Sequence, residues 1–162
     1  MDQTKLIANL QKVMEEGYKQ ACHYFRAMPY RQVVFKGFFS PEIQQEILDN
    51  QEILTNLKIT TLTLKKYFAE EIQNLTFTKA GIALPAKWET WIILNPFFIK
   101  FAEEKWIPDL VETVAHELAH AVIFNWDTHW GHADPHAKIT KYLQDYLQKN
   151  YDWSKIYIGT KN

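Results

Sequence analysis

The chain has 162 residues, and its 47% hydrophobic and 23% charged content is typical of one folded domain rather than of a disordered chain. The formal net charge of −1 provides no strong field for nucleic acid, and the apolar runs are too short to span a bilayer, so no membrane partner is expected. The single cysteine, Cys22, excludes an internal disulfide framework and a cysteine-rich zinc ribbon, and it favours the cytoplasm.

Helical patterns dominate the first part of the chain. Apolar side chains recur at helical spacing over residues 4–27, so the N-terminus is predicted to form a helix and not a signal peptide. Residues 32–35 have the composition of a short strand. A helix is predicted to start with Ser40 as its N-cap and Pro41 in its first turn, and another is predicted over residues 62–75.

The middle of the chain predicts two strands of a small antiparallel sheet. Residues 75–84 and 90–94 are rich in Thr, Ile, Leu and aromatic side chains, and a turn separates them. Residues 97–106 are predicted to form a short helix. The chain is therefore predicted to be an α+β protein.

The second half predicts two longer helices. The first is predicted to start with Asp109 as N-cap, with Glu112 completing a capping box, and to run to about Asn125. The last is predicted to begin at Asp134, and its apolar stripe includes Leu143.

An HExxH motif lies in the middle of the first of these helices. His116 and His120 are four residues apart, so both imidazoles lie on one helix face and can bind one metal ion at about 2.0–2.1 Å. Glu117 is one residue along and cannot share that geometry. It is predicted to act as a general base towards a water molecule that the metal activates.

A hydrolytic metal site needs a third protein ligand and one open position. The HExxHxxGxxH pattern is excluded, because Trp126 occupies the place of its third histidine. No glutamate follows Glu117, so a later glutamate ligand is excluded too. The remaining carboxylates are weak options, namely Asp127, Asp134 and Asp145.

Three later histidines are candidates for the third ligand. His132 is favoured because Gly131 lets the backbone turn sharply and return the side chain to the first helix. His136 faces inward on the last helix, where it could be a core histidine instead. His129 stays as a third alternative, in the loop between the helices.

Four segments together resemble the SprT-like (Spartan-type) zinc metalloprotease domain family. They read AGIAL, WIILNP, VETVAHELAHAVIFNW and GHADPHAKI, and the resemblance covers about residues 75–147. The more specific part is the Gly131-His132 pair at this distance from HExxH, with the two strand segments upstream. The chain departs from the family after this pair, because the usual Gly and aromatic residue are replaced by Ala133-Asp134-Pro135-His136.

The resemblance implies a complete zinc site. It implies His116, His120 and His132 as ligands of one zinc ion per chain, with Glu117 as the catalytic base. It also implies a zincin-like fold with an N-terminal helical extension, and a protein or peptide substrate. The substrate would add as a β-strand to the edge formed by WIILNP or AGIAL, the former being nearer in sequence.

Residues 1–162 are interpreted as a single domain, with a helical extension over 1–60 and the SprT-like core over 61–150. Eukaryotic members of the family cut proteins crosslinked to DNA. The near-neutral charge of this chain gives no support for DNA association.

The predicted function is zinc-dependent hydrolysis of peptide bonds in the cytoplasm. A non-catalytic zinc-binding module for protein interaction is the alternative, and a hydrolase of another substrate class is a third. Four further side chains are predicted to serve mainly in packing or at the surface, namely His23, Trp126, Trp130 and Tyr142. As alternatives, Tyr142 could donate a hydrogen bond to an oxyanion, and the two tryptophans could form the wall of a pocket.

Overall fold

The computed structural model of the chain describes residues 3–74, 76–100, 104–128, 130–132 and 134–157, and it confirms the α+β class. No helix within these ranges is long and apolar enough to cross a membrane. The strands are β1 (Gln32–Phe38), β2 (Gly81–Pro85) and β3 (Glu89–Leu94). The helices are α1 (Gln3–Tyr24), α2 (Pro41–Leu48), α3 (Gln51–Leu57), α4 (Thr61–Tyr67), α5 (Ala69–Asn74), α6 (Phe97–Lys100), α7 (Ile107–Ile123), α8 (Asp134–Asn150) and α9 (Trp153–Tyr157), with a 3₁₀ turn over Glu104–Trp106.

The three strands form one mixed sheet in the order β1-β3-β2. The prediction of an antiparallel sheet is right for β2 and β3, which form a hairpin, but wrong for the sheet as a whole, because β1 runs parallel to β3. A parallel neighbour needs a long crossover, and the segment with α2 to α5 provides it. The segment predicted as a helical extension therefore also supplies a strand of the sheet.

Two predicted elements are shorter or more divided in the structure. The helix predicted over residues 62–75 is two helices, α4 and α5, which are separated at the buried Phe68. The strand predicted from residue 75 begins only at Gly81. Residues before it are held by side chains instead, since Asn95 Nδ2 donates to the carbonyls of Phe77 and Lys79.

The helix starts show one correct and one wrong capping prediction. Ser40 Oγ accepts a hydrogen bond from Ile43 N at 3.2 Å, which confirms it as the N-cap of α2. Asp109 is not the N-cap of α7, because the preceding 3₁₀ turn leads directly into a helix that begins at Ile107. Asp109 thus lies inside the first turn, where its charge still favours the positive end of the helix dipole.

Both faces of the sheet are buried. Helices α1, α7 and α8 cover one face, and helices α2 to α4 cover the other. This two-sided burial explains why β3 reads as a continuous apolar run rather than an alternating one. The first core includes Leu10, Met14, Ile92, Leu118 and Leu143, and the second includes Phe39, Ile53, Leu64, Phe68 and Ile93.

A buried arginine joins the start of β1 to the hairpin and to the end of α7. Arg31 is only 6% exposed, and its Nε donates to the carbonyl of Phe124 at 3.3 Å. Its Nη1 donates to the carbonyls of Ala86 and Glu89. Within the described residues, carbonyl groups rather than a carboxylate accept these bonds, and they place the cation at the negative end of the α7 dipole.

Candidate metal centre

Four histidines from α7, the following loop and α8 come together in the structure. Their ligand nitrogens all lie within 4.8 Å of one another, so the cluster can hold a metal ion. His116 and His120 stand one turn apart on α7, as the motif predicts. His132 follows Gly131 in the loop, and His136 lies in the first turn of α8. The alternative candidate His129 lies outside the described residues.

Three of the four imidazoles converge through the same ring nitrogen. His132 Nε2 lies 3.2 Å from His120 Nε2 and 3.2 Å from His116 Nε2. Two nitrogens that each lie about 2.0–2.1 Å from one tetrahedral metal ion are separated by about 3.3 Å. The spacing of His116, His120 and His132 therefore fits a shared metal ion.

The fourth histidine bonds to the backbone of the first. His136 Nε2 lies 3.1 Å from the carbonyl oxygen of His116 and donates its proton to it. Its ring is 4% exposed and lies 4.2 Å, centroid to centroid, from the ring of His120. His136 thus packs behind the three converging imidazoles and ties α8 to the backbone that carries one of them.

Glu117 is buried beside the imidazoles. It is 5% exposed, and its carboxylate has no hydrogen bond or ion pair among the described residues. Burial in this position raises its pKa to about 8. This pKa belongs to the metal-free protein, and a bound cation would lower it and favour the carboxylate form that a general base needs.

Gly81 lets the edge strand β2 pass close to Glu117. A Cβ atom at this position would lie 3.2 Å from Glu117 Cγ and 3.1 Å from Thr113 Cγ2. Any larger residue would therefore push the strand away from α7 or shift the carboxyl group. The close packing of β2 against the candidate base therefore explains why the AGIAL segment has a glycine at this position.

His116, His120 and His132 line one cleft together with Glu117, between α7 and the sheet. The cleft has a volume of about 460 Å³. Tyr67 and Lys79 also line it, and so does Trp130, whose Nε1 donates to Ala83 O at 2.8 Å. The remaining residues along it are Ala80, Gly81, Ile82, Glu112 and Thr113.

Two residues of this cleft are not predicted from the sequence, while the aromatic residues near the motif lie where the alternatives allow. Tyr67 and Lys79 carry no motif, and only the fold of α4 and the chain before β2 brings them to the cleft. Trp130 does wall the cleft. Tyr142 is not a cleft residue, because its ring stacks on Tyr24 with centroids 4.3 Å apart. Trp126 is 52% exposed.

Burial keeps the imidazoles of His116, His120 and His136 neutral in the metal-free protein. Desolvation, followed by repulsion from neighbouring imidazoles, lowers the pKa of His116 to about 4 and that of His120 to about 3. The pKa of His136 is also lowered, chiefly by burial. Neutral imidazoles are the form that binds metal, so the cluster needs to lose few protons before it takes up an ion at pH 7.

These pKa values predict how the stability of the metal-free protein depends on pH. On unfolding, His116 and His120 return to 6.5 and Glu117 returns to 4.5. Between pH 4.5 and 6.5 the unfolded chain gains more histidine protons than the one proton it loses at Glu117, so stability rises with pH. Between pH 6.5 and about 8 only the folded protein holds the Glu117 proton, so stability falls.

Urea denaturation in the presence of a chelator, at a series of pH values, measures this dependence. The free energy of unfolding is expected to be highest near pH 6.5. The matched variant Glu117→Gln should keep the acid limb and lose the decline between pH 6.5 and 8, because glutamine has no proton to release. A wild-type curve that keeps rising to pH 8 would contradict the assignment of the buried carboxyl group.

Comparison with models of known protein families, with curated proteins and with solved structures finds no match for this chain. The SprT-like resemblance therefore stays a prediction that rests on the quoted segments. The chemistry of the cleft has to be argued from its own residues.

Proposed function

We propose that this protein is a zinc-dependent peptidase of the zincin type, with His116, His120 and His132 as ligands and Glu117 as general base. The observation that carries the proposal is the convergence of three Nε2 atoms, with that of His132 3.2 Å from each of the other two, beside a buried carboxyl group in an open cleft. Three imidazole ligands with a fourth position open to the cleft are typical of catalytic zinc. The SprT-like resemblance of residues 75–147 supports the same assignment.

The edge of the sheet beside the cleft supports a polypeptide substrate. Asn95 N donates to Ala80 O across the β2–β3 pair, so the carbonyl group of Ala80 points towards β3. Because this orientation alternates along an antiparallel strand, Gly81 and Ala83 direct their N–H and C=O groups away from β3. Both residues line the cleft, and no described strand pairs with this edge of β2.

This edge can bind an extended peptide backbone along a short distance. The N–H and C=O of Gly81 and the N–H of Ala83 have no partner among the described residues. The row of available backbone groups ends there, because Trp130 Nε1 donates to Ala83 O and Asn56 Nδ2 donates to Pro85 O. A peptide strand that pairs with Gly81 would lie next to Glu117.

The expected edge strand is therefore different from the one favoured by sequence distance. WIILNP forms β3, which lies in the centre of the sheet between β1 and β2 and has no free edge. The AGIAL segment forms β2, which has one. Closeness in sequence to HExxH does not predict which strand forms the edge. After the hairpin turn β3 lies in the centre of the sheet, and β2 lies at the edge.

The chemistry follows from the position of Glu117. Zinc, when bound by the three histidines, would acidify the attacking water and polarise the scissile carbonyl. Glu117 accepts a proton from the water as the water oxygen bonds to the carbonyl carbon, and the electron pair of the C=O bond moves to its oxygen. Glu117 then passes the proton to the amide nitrogen as the carbonyl re-forms and the C–N bond breaks, which releases an amine and a carboxylic acid, and the acid then loses its proton to the amine.

A cleavage assay with matched metal conditions tests the proposal. The purified protein, loaded with one equivalent of zinc, should cleave unfolded casein and peptides released from it. A chelator should abolish the cleavage, and added zinc should restore it. Products identified by mass spectrometry should carry new amino and carboxyl ends.

Two results would decide against peptidase activity. Tight zinc binding with no cleavage of casein or of a diverse peptide library would favour the non-catalytic binding module. Cleavage that survives a chelator and lacks zinc dependence would assign the activity to a contaminant. The cobalt-substituted protein offers a structural check, because a visible spectrum for four nitrogen ligands would mean that His136 closes the site.

A further inference from the structure

Tyr67, the last residue of α4, reaches the candidate active site from a part of the chain that the SprT-like resemblance does not cover. Its side chain lines the same cleft as Glu117 and the three converging histidines. It comes from α4, whereas Glu117 comes from α7, so a substrate in the cleft would contact residues of both elements. The position calls for an explanation, because the motif residues alone supply no hydrogen-bond donor on this side.

Contacts with two neighbouring side chains hold the ring of Tyr67 in place. It stacks on Trp130 with ring centroids 5.0 Å apart and an interplanar angle of 24°. Lys79 Nζ lies 4.3 Å from its centroid. Trp130 is fixed in turn by its bond to Ala83, and it is two residues from His132. The phenol therefore has a defined position relative to the metal ligands, and its hydroxyl group takes no part in holding it there.

The hydroxyl group is a donor without an acceptor among the described residues. Tyr67 is 40% exposed, and it lines the cleft. Its pKa is raised, first by burial and then by the charges of Glu117 and Glu71, so the group stays protonated at neutral pH. Of the neighbouring donors, the Trp130 N–H bonds to Ala83, and Lys79 Nζ pairs with Glu71 at 3.5 Å.

We propose that Tyr67 is a catalytic residue whose hydroxyl group donates a hydrogen bond to the oxyanion of the tetrahedral intermediate. The proposal rests on the proposed peptidase function. When the water oxygen bonds to the carbonyl carbon, the former carbonyl oxygen gains the electron pair and accepts this hydrogen bond. The phenol keeps its proton throughout, and the bond weakens when the C–N bond breaks and the carbonyl re-forms.

Tyr67→Phe tests this role, because phenylalanine keeps the stack on Trp130 and removes only the hydroxyl group. With zinc-loaded protein and casein peptides, kcat is expected to fall about 10²- to 10³-fold, which is the cost of removing one oxyanion donor. KM and zinc affinity should stay within about twofold of wild type, since the ring and the ligands are intact. Tyr142→Phe is the matched control and should change none of these values, because that ring lies outside the cleft.

A binding measurement separates this proposal from the peptidase assignment. A phosphinic peptide carries a tetrahedral phosphinate that mimics the intermediate, and its affinity for zinc-loaded protein can be measured by calorimetry. Tyr67→Phe should weaken it by about 10²- to 10³-fold while leaving the affinity for the matching amide peptide unchanged.

Each outcome bears on the proposal separately. If wild type cleaves no substrate, the peptidase function fails, and the phosphinic peptide still decides whether Tyr67 binds a tetrahedral oxyanion. A kcat within about threefold of wild type in Tyr67→Phe would overturn the proposal. So would a rise in KM alone, which would make Tyr67 a residue that only contacts the ground-state substrate, or equal affinities of both proteins for the phosphinic peptide.

Discussion

Glu117→Gln is expected to lower kcat by about 10²- to 10⁴-fold, the contribution of a positioned general base. Glutamine has nearly the same shape and can occupy the same buried position beside Gly81. It cannot accept the proton of the attacking water, so the bond-forming step loses its base. Zinc content should stay at one ion per chain, because the carboxyl group is not among the converging ligand atoms. Initial rates with casein peptides, together with elemental analysis, measure both quantities.

The interpretation depends on the variant being folded and loaded with metal. Replacing a buried, unpaired carboxyl group by an amide should leave the thermal unfolding temperature similar or slightly higher at pH 8, where wild type bears part of a buried charge. A Glu117→Gln protein that cleaves peptides at the wild-type rate would rule out the proposed mechanism. Loss of zinc in the same variant would instead make Glu117 part of the metal site.

His132→Ala is expected to weaken zinc binding by more than about 100-fold, because loss of residues that only support a ligand already costs about 10- to 100-fold. His132 supplies one of three converging Nε2 atoms and bridges the other two, at 3.2 Å from each. Its side chain is exposed, so the substitution leaves the packed core untouched and the apo protein should fold normally. Competition with a chromogenic chelator measures the dissociation constant.

Two other histidines serve as matched controls for this measurement. His136→Ala should weaken zinc binding by about 10- to 100-fold, since His136 bonds to the backbone of His116 rather than to the shared centre. His23→Ala should have no effect, because it lies on α1 outside the cluster. Zinc affinity that is unchanged in His132→Ala and lost in His136→Ala would transfer the third ligand position to His136.

The local sequence is sufficient to predict a feature that a single helix or a few neighbouring residues form. The spacing of His116 and His120 predicts a shared helix face, and α7 presents them in that way. Gly131 before His132 predicts a sharp return of the chain, and the structure brings His132 to the other two imidazoles. The Ser40 cap and the hairpin of β2 and β3 depend on a few neighbouring residues, and both are confirmed.

Features that depend on distant segments were not predictable in this way. The parallel pairing of β1 with β3 joins residues more than fifty positions apart, and no periodicity within either strand encodes the partner. The same holds for Tyr67, which reaches the cleft only because α4 packs on the second core. The apolar stripe of α8 predicts that His136 faces inward. Its hydrogen bond to the carbonyl of His116 is not predictable from the sequence and is seen only in the structure.

The bonds of Arg31 have a consequence for the synthesis of the chain. Arg31 and Phe124 are separated by 93 residues, which a ribosome adds in about 5 to 20 s. During most of this interval α1 has no α7 to pack on, and β1 has β3 to pair with only after Leu94 has been added, so their apolar faces stay exposed to solvent. Folding must therefore await completion of the C-terminal half, and the nascent N-terminal half should be a substrate for chaperones during that interval.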